Sequence, residues 1–197
     1  MTLELKETSF MHYLMKSILL FILFQTIQGC METPQNNLET DLCFYQTDGT
    51  GPSKGVKLKI NYPCTWKIRD NDKPGMVKQF FKPDSKFGFS LFINEVALDY
   101  KVNKADMESM LKELGTVLSV KEIKIIGKDA IETVAEGSFK SSMGTIYTKI
   151  KDYTFVHEGK AITFAFTTES EDKVEAERLF NENEKLFEKL VSDITLY

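Results

Sequence analysis

The chain has 197 residues, 42% of them hydrophobic, with 25 basic against 29 acidic side chains. That apolar share supports a packed core and excludes a wholly disordered chain, while the length suits one domain with an extra terminal segment. A net charge of -4 and a pI near 5.4 exclude the footprint of a general nucleic-acid binder.

The first element in chain order is apolar and short. Lys16 and Ser17 precede an unbroken apolar run from Ile18 to Phe24, then Gln25-Thr26-Ile27-Gln28-Gly29-Cys30 follow. Spanning a bilayer takes about 20 such residues. A basic start, a short apolar stretch and a small residue describe an export signal, and the missing polar face argues against a core helix. Glu4 and Glu7 suit such a signal poorly, so Met15 makes a cleaner start than Met1. Ile27-Gln28-Gly29-Cys30 resembles the lipobox of bacterial lipoproteins, with Gln28 departing from the usual small residue. The resemblance implies a lipoprotein signal peptide over residues 1–29, cleavage before Cys30, and palmitate-class acyl chains on Cys30. The membrane is then the first partner, because two or more acyl chains give stable anchoring.

With Cys30 assigned to lipid, Cys43 and Cys64 remain as an even pair in an oxidising compartment. A bridge between them would stabilise the fold by roughly 3 kcal/mol. Two free buried thiols are the open alternative. Residues 30–54 read as a lipid-attached tether and N-terminal flap: Met31 to Asn37 is polar and turn-prone, and Asp48-Gly49-Thr50-Gly51-Pro52 is a loop.

The domain proper is expected over residues 55–197. Val56, Leu58 and Ile60 alternate with Lys57 and Lys59, a strand pattern ended by Tyr62-Pro63. Trp66-Lys67-Ile68 opens a second strand and residues 70–75 make a tight turn. Strands follow at Met76–Phe81 and Phe87–Val96. Lys104–Leu114 is a helix with Asn103 as its N-cap, its core stripe Met107, Met110, Leu111 and Leu114, and Gly115 as its stop. Four strands come next, at Lys121–Gly127, Ala130–Phe139, Thr145–His157 and Lys160–Thr168. A long helix from Glu171 to Ile194 closes the chain, with Leu179, Phe180, Leu186, Phe187, Leu190, Val191 and Ile194 on one stripe. This order predicts an α+β domain, an antiparallel sheet layered with two helices.

Tyr62-Pro63-Cys64-Thr65-Trp66 resembles the Tyr-Pro-x-x-Trp opening of PsbP-like domains. The similarity continues through Gly127-Lys128-Asp129-Ala130 and Tyr153 to Ile162, and ends in Phe180 and the closing helix. It covers about residues 55–197. Behind a lipoprotein signal, the chain is similar to the bacterial lipoprotein branch of that superfamily, the DcrB-like proteins. The resemblance implies an α/β/α sandwich and a binding or assembly role, with no activity or cofactor of its own.

Little in the residues points to catalysis. His157 would be the single imidazole after Cys30, and it falls on a hairpin tip beside Glu158-Gly159. Gly-x-Ser-x-Gly and phosphate-loop motifs are absent. Asp70 and Asp72 lack a calcium-loop frame. Lys57, Lys59 and Lys67 suit a solvated strand face. Tyr100, between a strand and the first helix, is the candidate partner-binding aromatic. The expected function is a lipid-anchored module of the bacterial cell envelope that binds a protein partner and performs no chemistry. An envelope hydrolase with unrecognised catalytic residues, or a carrier of a small apolar ligand, are the alternatives.

Overall fold

Alternating apolar side chains build two sheets and a shared core. The structure, a computed structural model, describes residues 41–71, 73–83, 85–113, 115–142 and 144–197. Its strands are β1 (Leu42–Gln46), β2 (Leu58–Pro63), β3 (Lys67–Arg69), β4 (Met76–Phe81) and β5 (Phe87–Glu95). Helix α1 (Lys104–Lys112) precedes β6 (Thr116–Ile125), β7 (Lys128–Ser141), β8 (Gly144–His157) and β9 (Lys160–Ser170). Helix α2 (Lys173–Ser192) and β10 (Thr195–Leu196) end the chain.

The large sheet has seven strands in the order β3-β4-β5-β9-β8-β7-β6, all neighbours antiparallel. β1, β2 and β10 form a separate small sheet with β2 in the middle. One face of the large sheet carries Phe89, Phe166 and Phe155 into the main core, which the small sheet and α2 close from the other side. There the Phe187 ring lies 4.3 Å from Phe166, and Phe80 stacks on Phe89 at 4.3 Å. On the opposite face, Met107, Met110 and Leu111 of α1 pack against Ile131, Ala135 and Ile150. The large sheet is thus sandwiched between two helices, the expected α+β architecture.

Both helices start on side-chain caps. Asn103 accepts from the Asp106 amide at 3.0 Å and Asp172 from the Val174 amide at 2.8 Å, relieving N–H groups that have no helical acceptor. Two hairpins turn through paired left-handed residues, Ile126-Gly127 (φ 46° and 74°) and Glu158-Gly159 (φ 49° and 67°). That geometry matches the twist of the flanking strands.

Three expectations change. β6 begins at Thr116 rather than Lys121, because a bulge between Val117 and Ser119 breaks the alternation that marks a strand. The segment read as a flap holds β1, which pairs with β2, and β2 leaves the large sheet altogether. α2 starts at Lys173 rather than Glu171 and ends at Ser192, although Ile194 still reaches the core. The signal segment, the tether and Cys30 lie outside the described residues, as do Asp72 and Leu114.

Candidate functional site

Cys43 on β1 and Cys64 just after β2 are joined by a disulfide, with their Cα atoms 4.9 Å apart. The register places Cys43 opposite Tyr62, so two adjacent strands bring the sulfurs together. Tyr62 and Trp66, which carry the family resemblance, serve packing: Tyr62 lies 5.2 Å from Phe80, and Trp66 meets Phe87 edge-on at 5.2 Å. Tyr100 turns back onto α1 and donates its hydroxyl to Asp106 at 3.1 Å. His157 is the last residue of β8, paired with Lys160 across a hairpin of the large sheet, whereas the disulfide lies at the small sheet.

A charged strip runs between α2 and the strands below it. Lys151 of β8 is 2% exposed, yet its Nζ meets Glu184 at 2.9 Å, Glu188 at 3.1 Å and Glu132 at 3.4 Å. Burial alone would lower its pKa. The hydrogen bonds it donates to Glu184 and Glu188, with its interaction with Tyr153, outweigh burial and hold the ammonium protonated well above the ordinary lysine range. Two residues along β8, Lys149 lies 3.5 Å from Glu177 and over the Phe180 ring at 4.7 Å. Lys173 at the start of α2 reaches Glu136 at 3.0 Å, and that bond raises its pKa. Glu136, Lys149, Lys173 and Glu177 line a cleft of about 330 Å³, joined by Tyr147 and Ser138. Its cations and carboxylates are matched, so the cleft can hold polar or zwitterionic groups.

The opposite face of the large sheet is polar where α1 does not reach. Asp152 is fully buried, and neither carboxylate oxygen has a hydrogen-bond partner among the described residues. Burial pushes its carboxyl up to about 7. Glu169 of β9, on the same face, is buried too and pushed up to about 8, with Lys86 and Lys73 opposing the shift. Two residues further along β8 from Asp152, in the direction away from Glu169, the hydroxyls of Thr154 and Thr163 meet at 3.0 Å. Lys151 and Asp152 belong to no sequence motif, yet they leave a signal: charges at 149, 151 and 152 interrupt a stretch from Thr145 to Val156 whose other positions are aliphatic, aromatic or threonine. Burial on both sides of β8 is what makes such charges informative, and that is a tertiary property.

Among the described residues, no group of three or more His, Cys, Asp or Glu side chains is placed to hold a metal ion. No described helix is long and apolar enough to cross a membrane. No protein-family model matches the chain, and no curated protein matches it by sequence. Solved structures do. The cyanobacterial PsbP protein (CyanoP) of Synechocystis sp. PCC 6803 superposes with a TM-score of 0.55 at 15% identity, covering 87% of this chain and 99% of its own. A protein of Bacteroides thetaiotaomicron VPI-5482 matches at 0.45 and 13% identity, over 71% of this chain and 45% of that one. LpqN of Mycobacterium tuberculosis, involved in cell envelope biogenesis, matches at 0.47 and 10% identity, over 80% of this chain and 92% of its own. Likeness at identities this low concerns the fold alone. The sandwich and the superposition together mark the chain as having a PsbP-like α+β fold.

Proposed function

We propose that this chain is an extracytoplasmic binding module, held to a bacterial membrane by lipid on Cys30, that engages a protein partner of the envelope without chemistry of its own. The Cys43–Cys64 disulfide carries the reading, because such bridges persist in oxidising compartments and a lipobox-like segment lies just upstream. The tether from Met31 to Asn37 would reach about 20 Å and raise the local concentration of any partner.

The chemistry of the accessible groups favours binding. A nucleophilic or basic lysine needs a lowered pKa, and Lys151 is shifted upward by its carboxylates. Asp152 and Glu169 have the tuning of acid–base groups, but both are enclosed where no substrate reaches them. The mixed-charge strip along α2 is accessible at its rim, where Glu177 and Glu188 are more than half exposed, and suits recognition of a charged surface.

Intact-mass analysis of the native membrane fraction tests the anchor. The expected species begins at Cys30 and carries acyl chains; a soluble product with unmodified Cys30 overturns it. Cys30→Ala should release the protein from membranes and weaken its cellular phenotype, whereas His157→Ala should leave that phenotype intact. Loss of function in His157→Ala at unchanged stability would sink the non-catalytic reading.

A further inference from the structure

The two edges of the large sheet are unlike. β3 offers three residues, while β6 is ten residues long and has a ladder partner, β7, on one side alone among the described residues. An open strand of that length exposes a row of unpaired N–H and C=O groups, a template for adding another strand. The bulge at Val117/Ser119 leaves a regular stretch from Ser119 to Ile125. Its charged side chains stand in solvent: Glu122 is 74% exposed and Lys124 69%.

We infer that β6 pairs with β6 of a second copy of this chain, antiparallel about a two-fold axis through Ile123, joining two large sheets into one. A two-fold axis normal to the sheet keeps each face continuous, so it must pass through a residue and not between two. Charge then selects the register. An axis at Lys121, Glu122 or Lys124 sets that residue against its own copy, and like charges directly opposite are destabilising. Axes at Ser119 or Val120 run the pairing into the bulge, and an axis at Ile125 runs it into the Ile126-Gly127 turn. The axis at Ile123 places Ile123 against Ile123 and, twice over, Glu122 against the partner's Lys124.

Existing ion pairs extend that match. Lys104 of α1 lies 3.7 Å from Glu122, and Lys124 lies 2.8 Å from Asp129. Across the joint the charges alternate: Lys104, Glu122, the partner's Lys124, the partner's Asp129. Two-fold symmetry repeats the row in reverse. Such self-complementarity suits an isologous dimer. Lipid tethering would favour it by confining both copies to one membrane, but the pairing itself does not depend on the anchor.

Single-cysteine cross-linking of the full chain in native membranes tests the register. In this geometry the two Ile123 Cα atoms stand about 4.5–5.5 Å apart, within disulfide range, whereas residue 122 or 124 is roughly 8 Å from its own copy. Ile123→Cys should give a dimer on non-reducing gels, and Glu122→Cys and Lys124→Cys should not. Charge exchange supplies a second reading at exposed positions where folding is not at stake. Sedimentation of the full chain in detergent should show Glu122→Lys weakening self-association by about tenfold, as should Lys124→Glu. The double variant should return to within about threefold of the parent. A monomer at all concentrations, a dimer linked through position 122 or 124, an Ile123→Cys adduct with a different protein, or no rescue by the double variant would each overturn the proposal.

Discussion

Ile126 holds a backbone conformation that its side chain resists. A β-branched residue at φ 46° crowds the neighbouring carbonyl, a cost of about 1–2 kcal/mol, and this exposed turn position has no packing need for isoleucine. Ile126→Asn is therefore expected to stabilise the fold by about 1 kcal/mol, read as a higher urea midpoint at unchanged slope. An unchanged or lower midpoint would mean that contacts of Ile126 outweigh its strain. Lys151 presents the reverse case, one cation among three carboxylates. Lys151→Met leaves Glu132, Glu184 and Glu188 facing each other, and because Glu184 and Glu188 are 40% and 54% exposed, water screens part of the repulsion. The expected loss is about 2 kcal/mol at low ionic strength, shrinking as added salt screens the carboxylates from one another. A loss that stays constant with salt would assign the effect to packing instead of charge.

Single elements gain their places from what lies across from them. β1 is short, half-buried and joined to the domain chiefly through β2, so the Cys43–Cys64 bridge is its main covalent restraint. Replacing both cysteines by serine should lower stability by about 3 kcal/mol, the chain-entropy value for a loop of 21 residues' separation, measurable as a fall in Tm. If Tm is unchanged while protease cuts between residues 46 and 58, the bridge restrains a locally opening strand and not the whole domain. α2, in contrast, is held by Phe180, Phe187, Leu190 and Val191 against both sheets. That face carries the charged strip on its margin, so helix packing and strip geometry stand or fall together.

At the scale of the molecule, the sealed carboxyls set how stability responds to pH. Asp152 and Glu169 keep their protons in the folded chain up to about pH 7 and 8, where the unfolded chain has long released them. The folded state then binds more protons, so stability falls as pH rises from about 4 to about 8. Exposed Asp48, Glu95, Asp129 and Glu175 are shifted the other way, lowered by hydrogen bonds from Thr50, Lys160, Lys124 and Arg178. Their contribution is present above the unfolded carboxylate range and lost in acid. Maximal stability is expected near pH 5, measured by urea unfolding across pH 3–9. Asp152→Asn should flatten the alkaline side and gain on the order of 2 kcal/mol at pH 8. A variant whose alkaline slope matches the parent would show that Asp152 is charged in the folded chain.

What the amino-acid order determined by itself was local: the strand alternation of Phe87 to Val96 and Ile162 to Phe166, the Asn103 cap of α1, the apolar stripe of α2 and the hairpin at Glu158-Gly159. Each is written in periodicity or turn chemistry over a few residues, and summed they specify an antiparallel sheet with two helices. The tertiary structure alone decided that β2 joins β1 and β10 and leaves the large sheet, since a two-residue strand such as β10 has no pattern of its own and exists because β2 offers it an edge. It also decided that β9 and β8 are covered on both faces, which turns Lys151 and Asp152 from ordinary strand charges into a buried, ion-paired cation and a sealed acid. Alternation reports which residues share a face; it cannot report what lies against that face, because burial depends on elements distant in sequence.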